Sequence, residues 1–321
     1  MKRGLVIGKF LPIHKGHIAL INFAASRCDE LIVSMSYTDG DIIDPSRRFS
    51  WITSIFKDQP EIKPAMIRDD FDDDTLPLVQ RTKIWADQIR KVYPPVNALF
   101  SSEEYGNPFS KHLGIPHFIF DSARSKIQVS ATLIRNHPLK YWDFIPDEVR
   151  PYFVKKICFY GPESTGKTVM VERMADLFNT EYVPEVAREL LVTNDFSVND
   201  IVQIGQAHFE RICEKVQTAN KILLCDTDAI TTQIYSQYYL HEIPPELYAL
   251  EEKIKYDHYF LFDIDVPWVA DGLRDLYFNR EAMFNTFKEE LTKRKIPFTL
   301  VKGTYQEREN FVYDKIKTWM D

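Results

Sequence analysis

A chain of 321 residues, at roughly 150 residues per domain, has room for two domains with a sizeable core in each, which excludes a peptide or a single small module. Lys+Arg 40 against Asp+Glu 47 leaves a formal net charge of −7, which excludes the basic footprint of a nucleic-acid binder. Hydrophobic residues at 45% with 11 glycines describe a packed protein, neither disordered nor fibrous.

Short runs of Val, Ile, Leu and Phe alternate with longer amphipathic stretches, the pattern of parallel strands joined by helical crossovers. In the first half, strands are predicted at 5–8, 31–37, 65–68, 98–101 and 117–121, with helices at 16–28, 46–57, 78–92 and 131–136; Asp44-Pro45 is a good helix entry. Asn136-His137-Pro138 and Ile145-Pro146 through Arg150-Pro151 interrupt the periodicity, and the aromatics Tyr141, Trp142, Phe144, Tyr152 and Phe153 suggest that this connection packs down. In the second half, strands are predicted at 156–160, 181–183, 222–225, 258–263 and 298–301, with long helices at 198–218 and 307–319. The fold class is therefore α/β with two domains, 1–137 and 155–321, each a parallel sheet, and a packed linker at 138–154.

The first strand runs into Gly8-Lys9-Phe10 and then His14-Lys15-Gly16-His17 at a helix start. Two imidazoles one turn apart at a helix N-terminus can both face an anion, and a glycine between them lets backbone come close. Later, Ser130-Ala-Thr132-Leu-Ile-Arg135 offers a capped helix N-terminus and a further cation for a triphosphate. In the second half, Gly161-Pro-Glu163-Ser164-Thr165-Gly166-Lys167-Thr168 follows an apolar strand and precedes a helix, the context in which GxxxxGK[ST] cradles phosphates, with the lysine on the outer phosphates and the threonine on Mg²⁺.

Asp226, at the end of another apolar strand, is the better candidate for the metal; Asp226 or Asp228 could also cap the helix that follows. Glu185 and Arg188 stand three apart, either a plain surface pair or a general base beside a phosphate- or substrate-holding arginine, with Asp228 as the alternative base. Trp268-Val-Ala-Asp271-Gly272-Leu-Arg274, with Arg280 beyond, stands where small P-loop kinases place a closing lid, and Arg274 is expected to reach the transferred phosphoryl group.

Some features are given bland readings. The acidic run Asp69 to Asp74 is read as a solvated loop, His112 and His117 as lacking a partner at ligand spacing, and Trp51, Trp85, Trp142 and Phe109 as core aromatics. Cys28, Cys158, Cys213 and Cys225 show no metal-like spacing and are expected to be reduced and buried. No apolar run is long enough to cross a bilayer, and Lys9, Pro12 and His14 break the start too early for an export signal, so a soluble, cytoplasmic protein is expected. A homo-oligomer is compatible with all of this.

The first pair of motifs is similar to the [HT]xGH and SxTxxR motifs of the nucleotidylyltransferase superfamily, which implies direct attack of a phosphate on the α-phosphate of ATP. Taken together, GKFLPIHKGH, SRRFSWI, LFSSEEYG, VSATLIR, YWDFIP, GPESTGKT, LLCDTDAITTQ and WVADGLR resemble the NadR family, bifunctional nicotinamide-mononucleotide adenylyltransferase and ribosylnicotinamide kinase, over nearly the whole chain. The resemblance implies a kinase half that phosphorylates nicotinamide riboside to NMN and a transferase half that joins NMN to AMP from ATP, giving NAD, with Mg²⁺ as cofactor. Carried over by position, the transferase site includes Lys9, His14, His17, Ser130, Thr132 and Arg135, and the kinase site Gly166, Lys167, Thr168 and Asp226.

Some members carry an N-terminal helix-turn-helix that makes them repressors, whereas this chain enters its first strand by Leu5, so no nucleic-acid partner is expected. Two other readings share these motifs. One is an enzyme finishing coenzyme A synthesis, with a pantetheine-phosphate adenylyltransferase and a dephospho-coenzyme A kinase. The other is a catalytically weak nucleotide sensor.

Overall fold

The computed structural model describes residues 2–123, 125–191, 193, 195–270 and 276–320. The chain divides into two compact units, residues 1–150 and 151–321. Residues 138–150 thus lie with the first unit, where Leu139, Trp142, Ile145 and Val149 are buried. A short helix at Arg150–Phe153 (α6) spans the division.

The first unit runs β1 (Arg3–Gly8), α1 (Lys15–Ala25), β2 (Glu30–Tyr37), α2 (Pro45–Ile55), β3 (Ile62–Arg68), α3 (Leu78–Val92), β4 (Ala98–Ser101), α4 (Gly106–Leu113), β5 (His117–Ile119) and α5 (Ala131–Asn136). Its strands pair in parallel in the order β3-β2-β1-β4-β5. Because helices cover a parallel sheet on both faces, its central strands carry apolar residues on both sides, and Leu5, Val6, Leu31, Val33, Leu99 and Phe100 are all fully buried.

β3 begins at Ile62, three residues before the predicted start, because Lys63 and Pro64 pair with Ile32 and Val33; as an edge strand it tolerates the proline. The helix at α4 escaped the sequence reading, since GNPFSKHL looks like a turn. It packs so tightly at its start that a Cβ on Gly106 would lie 2.3 Å from Ser101 and His117. α2 starts as expected, with Asp44 Oδ1 accepting from the Arg47 N–H at 3.0 Å.

The second unit runs β6 (Lys155–Tyr160), α7 (Lys167–Phe178), β7 (Tyr182–Val183), α8 (Ala187–Leu190), α9 (Val198–Lys215), β8 (Ile222–Asp226), α10 (Ala229–Leu240), α11 (Pro245–Lys253), β9 (His258–Phe262), α12 (Arg280–Lys293), β10 (Phe298–Val301) and α13 (Tyr305–Met320). Its parallel order is β10-β9-β6-β8-β7. Ile157, Phe159, Leu224, Phe260 and Phe262 form one buried layer with α7 and α13, and Cys158, Tyr160, Tyr259 and Leu261 form the other with α10 and α12.

One expectation fails here: Cys213 is exposed on α9, and Cys28 is only partly covered, whereas Cys158 and Cys225 are buried. An apolar neighbourhood in sequence does not decide which helix face a thiol occupies. No helix among the described residues is long and apolar enough to cross a membrane. In both sheets strand order reverses beside the first strand of the unit, and a ligand crevice opens there, outside the carboxyl ends of the strands.

Candidate active sites

In the first unit the turn after β1 brings Gly8, Lys9, Phe10, His14, Gly16, His17, Ser130 and Thr132 to the wall of one cleft. His14 is the N-cap of α1, its Nδ1 accepting from the Gly16 N–H at 3.1 Å. The His14 and His17 rings stack at 3.7 Å between centroids, and Phe10 meets the edge of His17 at 5.0 Å. A Cβ on Gly16 would sit 2.9 Å from the His14 ring, so the motif needs glycine here for its own geometry as well as for a ligand. Opposite, Ser130 caps α5 through Leu133 N–H at 3.2 Å, which puts two helix N-termini, those of α1 and α5, at one cleft.

Arg135 is not among the side chains lining that cleft. Its guanidinium donates to the Leu11 carbonyl and to Thr132 Oγ1, holding the loop that leads into His14. Arg48, given no role of its own within SRRFSWI, is wholly buried beneath the same loop and donates to the carbonyls of Lys9 and Ile43 while pairing with Asp41.

A second pocket shares Ile7, Gly8, Lys9 and Tyr105 with the cleft and is completed by Ser34, Asp69, Phe71, Asp72, Arg81 and Trp85. The solvated-loop reading of the acidic run holds for the exposed Asp70, Asp73 and Asp74 and is corrected for Asp69 and Asp72. Arg81 holds Asp72 with both Nε and Nη2, and Trp85 Nε1 donates to Asp72 Oδ1 at 2.9 Å. These contacts keep Asp72 below the usual carboxylate range, whereas burial raises Asp69, whose Oδ1 finds no hydrogen-bond partner among the described residues. Trp85 packs against the core, as read, while its indole also lines this pocket. Trp51, Trp142 and Phe109 are buried in core as read. His117 hydrogen-bonds Ser101 Oγ and Asn107 Oδ1, each at 2.9 Å.

In the second unit Gly161, Ser164 and Gly166 take φ of 133°, 59° and 84°, curling the loop after β6. A Cβ on Gly161 would press within 3.0 Å of the Phe262 carbonyl. Lys167 Nζ donates to the Pro162 carbonyl at 2.9 Å, as does Thr165 Oγ1. Thr168 Oγ1 donates to Asp226 Oδ2 at 2.5 Å, and the buried Asp226 Oδ1 finds no hydrogen-bond partner among the described residues. Burial, reinforced by the charge of Glu185, pushes the Asp226 carboxyl up to about 6.

Glu185 and Arg188 form an ion pair at 2.6 Å on the wall of a pocket that also takes in Glu163, Phe196, Ile204, His208, Thr227 and Tyr235. Glu163, expected at the phosphates, faces this pocket and accepts from Leu276 N–H at 2.9 Å. Asp228 is the N-cap of α10, the capping role left open for it, with Oδ1 accepting from Thr231 N–H and hydroxyl and Oδ2 from the Tyr259 hydroxyl. Asp271, Gly272 and Arg274 lie outside the described residues. Arg280 donates to the carbonyls of Val266 and Ser164.

Known proteins match along both units. Residues 156–308 fit the family model of an AAA domain. The chain is 33% identical to the trifunctional NAD biosynthesis/regulator protein NadR of Salmonella typhimurium, over 93% of this chain and 78% of that one. The Escherichia coli protein of the same description is 32% identical over the same shares. The nicotinamide-nucleotide adenylyltransferase of Methanocorpusculum labreanum is 27% identical, across 46% of this chain and 88% of its own. Crystal structures of a NadR protein, one in complex with NR and one with NAD and AMP-PNP, share the fold at a TM-score of 0.82, covering 99% of this chain and 96% of theirs at 21% identity. Identity at this level, running through both units, establishes that the chain belongs to the NadR family.

Proposed function

We propose that the chain is a two-step NAD salvage enzyme. Its second unit passes the terminal phosphoryl group of ATP to the 5′-hydroxyl of nicotinamide riboside, and its first unit joins the resulting NMN to AMP from a second ATP, giving NAD and pyrophosphate. The observation that carries this reading is one anion cradle in each unit, each opening beside a pocket with aromatic walls: Gly161–Thr168 beside Phe196 and Tyr235, and His14–His17 beside Phe71 and Trp85. Relatives named for NAD biosynthesis match both halves, so the coenzyme A alternative is not favoured.

In the first unit no side chain needs to become a nucleophile, because the NMN phosphate supplies the attacking oxygen. Lys9, His14, His17 and the α1 and α5 N-termini stabilise charge as pyrophosphate leaves, while Arg135 positions the loop between them. The adjoining pocket takes the nicotinamide ring. Its pyridinium charge meets the faces of Trp85 and Phe71 and the Asp69 carboxylate.

In the second unit Lys167 exchanges the Pro162 carbonyl for a phosphate oxygen, Glu185 accepts the proton of the riboside hydroxyl and Arg188 steadies the pair. The donor set fits a divalent cation: a buried carboxylate oxygen on Asp226, without a hydrogen-bond partner among the described residues, would hold Mg²⁺ together with the Thr168 hydroxyl. Held by Asp226 and Thr168, such an ion would supply positive charge against the outer phosphates. We place the protein in the cytoplasm, where a chain with Cys213 exposed as a free thiol stays reduced.

The test feeds purified protein nicotinamide riboside and Mg-ATP and follows NMN and NAD by chromatography, with NMN rising first and NAD after it. Lys167→Ala abolishes riboside phosphorylation and leaves NMN adenylylation, and His17→Ala does the reverse. Consumption of pantetheine phosphate with nicotinamide riboside untouched would overturn the reading.

A further inference from the structure

A loop that binds phosphate through backbone N–H groups has to turn its carbonyls the other way, and buried carbonyls need donors of their own. In the second unit those donors are cations. The Pro162 carbonyl accepts from Lys167, the Ser164 carbonyl from Arg280 Nη2 at 3.1 Å, and the Thr165 carbonyl from Arg308 Nη1 at 2.8 Å. Arg308 differs from the other two. It comes from α13, at the far end of the unit's sequence, and its side chain is 2% exposed.

The same guanidinium donates through Nε to the Gly303 carbonyl and through Nη2 to the Asp263 carbonyl, both at 2.9 Å, and it pairs with the Asp265 carboxylate. Asp265 in turn accepts from Gly303 N–H at 2.6 Å. One planar fork therefore ties together the loops that follow β6, β9 and β10, the three adjacent strands on one side of the sheet. A guanidinium is seldom buried without a full set of acceptors, and here every acceptor is a loop at the carboxyl edge of the sheet, none of them core.

We infer that Arg308 is a positioning residue for ATP in the kinase unit: it fixes the P-loop with its N–H groups inward, so that nucleotide affinity at this loop, and not riboside affinity, depends on it. The inference rests on the kinase reading of the second unit. A lysine cannot reproduce it, since one ammonium cannot span the three carbonyls that the fork reaches.

The test is hydrogen exchange on the full chain titrated with AMP-PNP, read separately on peptides covering 161–168 and 8–17, with Arg308→Met and Arg308→Lys as variants. In the wild type both peptides become protected. In each variant the midpoint at 161–168 rises on the order of tenfold or more, as for loss of one charge-assisted hydrogen bond, while that at 8–17 stays put. In parallel, the KM for ATP in riboside phosphorylation rises and the KM for riboside stays within about twofold. Should Arg308→Met fail to fold, Arg308→Lys decides, because it keeps the charge and the apolar stem. A folded variant with the wild-type midpoint at 161–168, or with both KM values raised together, overturns the inference. A wild-type chain whose 161–168 peptide ignores the nucleotide overturns the kinase reading beneath it, which is a distinct result.

Discussion

Thr168 and Asp226 are joined by a 2.5 Å hydrogen bond that ties the first turn of α7 to the carboxyl end of β8. Because the bond uses only Oδ2, the wholly buried Oδ1 is left without a hydrogen-bond donor among the described residues. An acid placed this way is suited to a cation and poorly suited to a structural role. Asp226→Asn keeps an acceptor for Thr168 but removes the charge. Riboside phosphorylation should fall on the order of 100-fold or more while NMN adenylylation is unchanged. Thermal melting of the second unit should be no lower than wild type, since an amide replaces a buried carboxylate. Steady-state assays of both reactions with a melting curve check all three.

Gly16 is the most constrained residue of the first site. With a Cβ 2.9 Å from the His14 ring, Gly16→Ala forces the imidazole off its cap and breaks its stacking on His17. Adenylyl transfer should drop by about 100-fold, as expected when reacting groups are displaced by an ångström, with phosphorylation of riboside at the wild-type rate. Equal loss of both reactions would show that the two sites are not separate.

Trp85 tests the ring pocket. A tryptophan face against a pyridinium is worth about 1–2 kcal/mol, so Trp85→Ala should raise the KM for NMN on the order of tenfold and leave the KM for ATP nearly unchanged. Part of that loss comes through Asp72, which gives up its indole donor and keeps Arg81. Asp72→Asn, with Trp85 intact, should therefore have the smaller effect.

The difference between what could be read in the sequence and what could not follows from chain separation. His14, Gly16 and His17, or Gly161 to Thr168, act within a single turn, so spacing alone places them together. The strands that bear them are apolar throughout because both sheet faces are covered. Asp72 is not legible in the sequence because its partners Arg81 and Trp85 sit on a later helix, and a run of aspartates looks like solvent-facing loop until that helix is in place. Arg308 and Arg48 were invisible for the same reason. An arginine on an amphipathic helix is read as surface, and only the folded chain shows that its acceptors are the carbonyls of loops brought in from elsewhere. Asp228 is the converse case, a residue whose capping contacts lie within one turn of its own helix and could be read from its position alone.

His208 makes the second unit sensitive to acid. It lies on α9 at 5% exposure, with its Nε2 lacking a hydrogen-bond partner among the described residues, and burial, aided by the nearby Arg211 charge, holds its pKa at about 4, down from 6.5. Its neutral form is thus the one that folds. In the unfolded chain it takes up a proton near its ordinary value, so its contribution is fully present above about pH 6.5, declines as the pH falls toward 4, and is gone below that. The difference of 6.5 less 4 corresponds to about 3 kcal/mol across the window. His258 shifts in the same direction and would blur a wild-type measurement alone. The comparison with His208→Leu cancels it. Denaturant unfolding followed by hydrogen exchange of the β6 and β8 amides should show the two proteins' stabilities converging, relative to their gap at pH 7.5, as the pH is lowered to 4. A gap that does not change with pH would mean that His208 binds its proton equally well in the folded and unfolded chains.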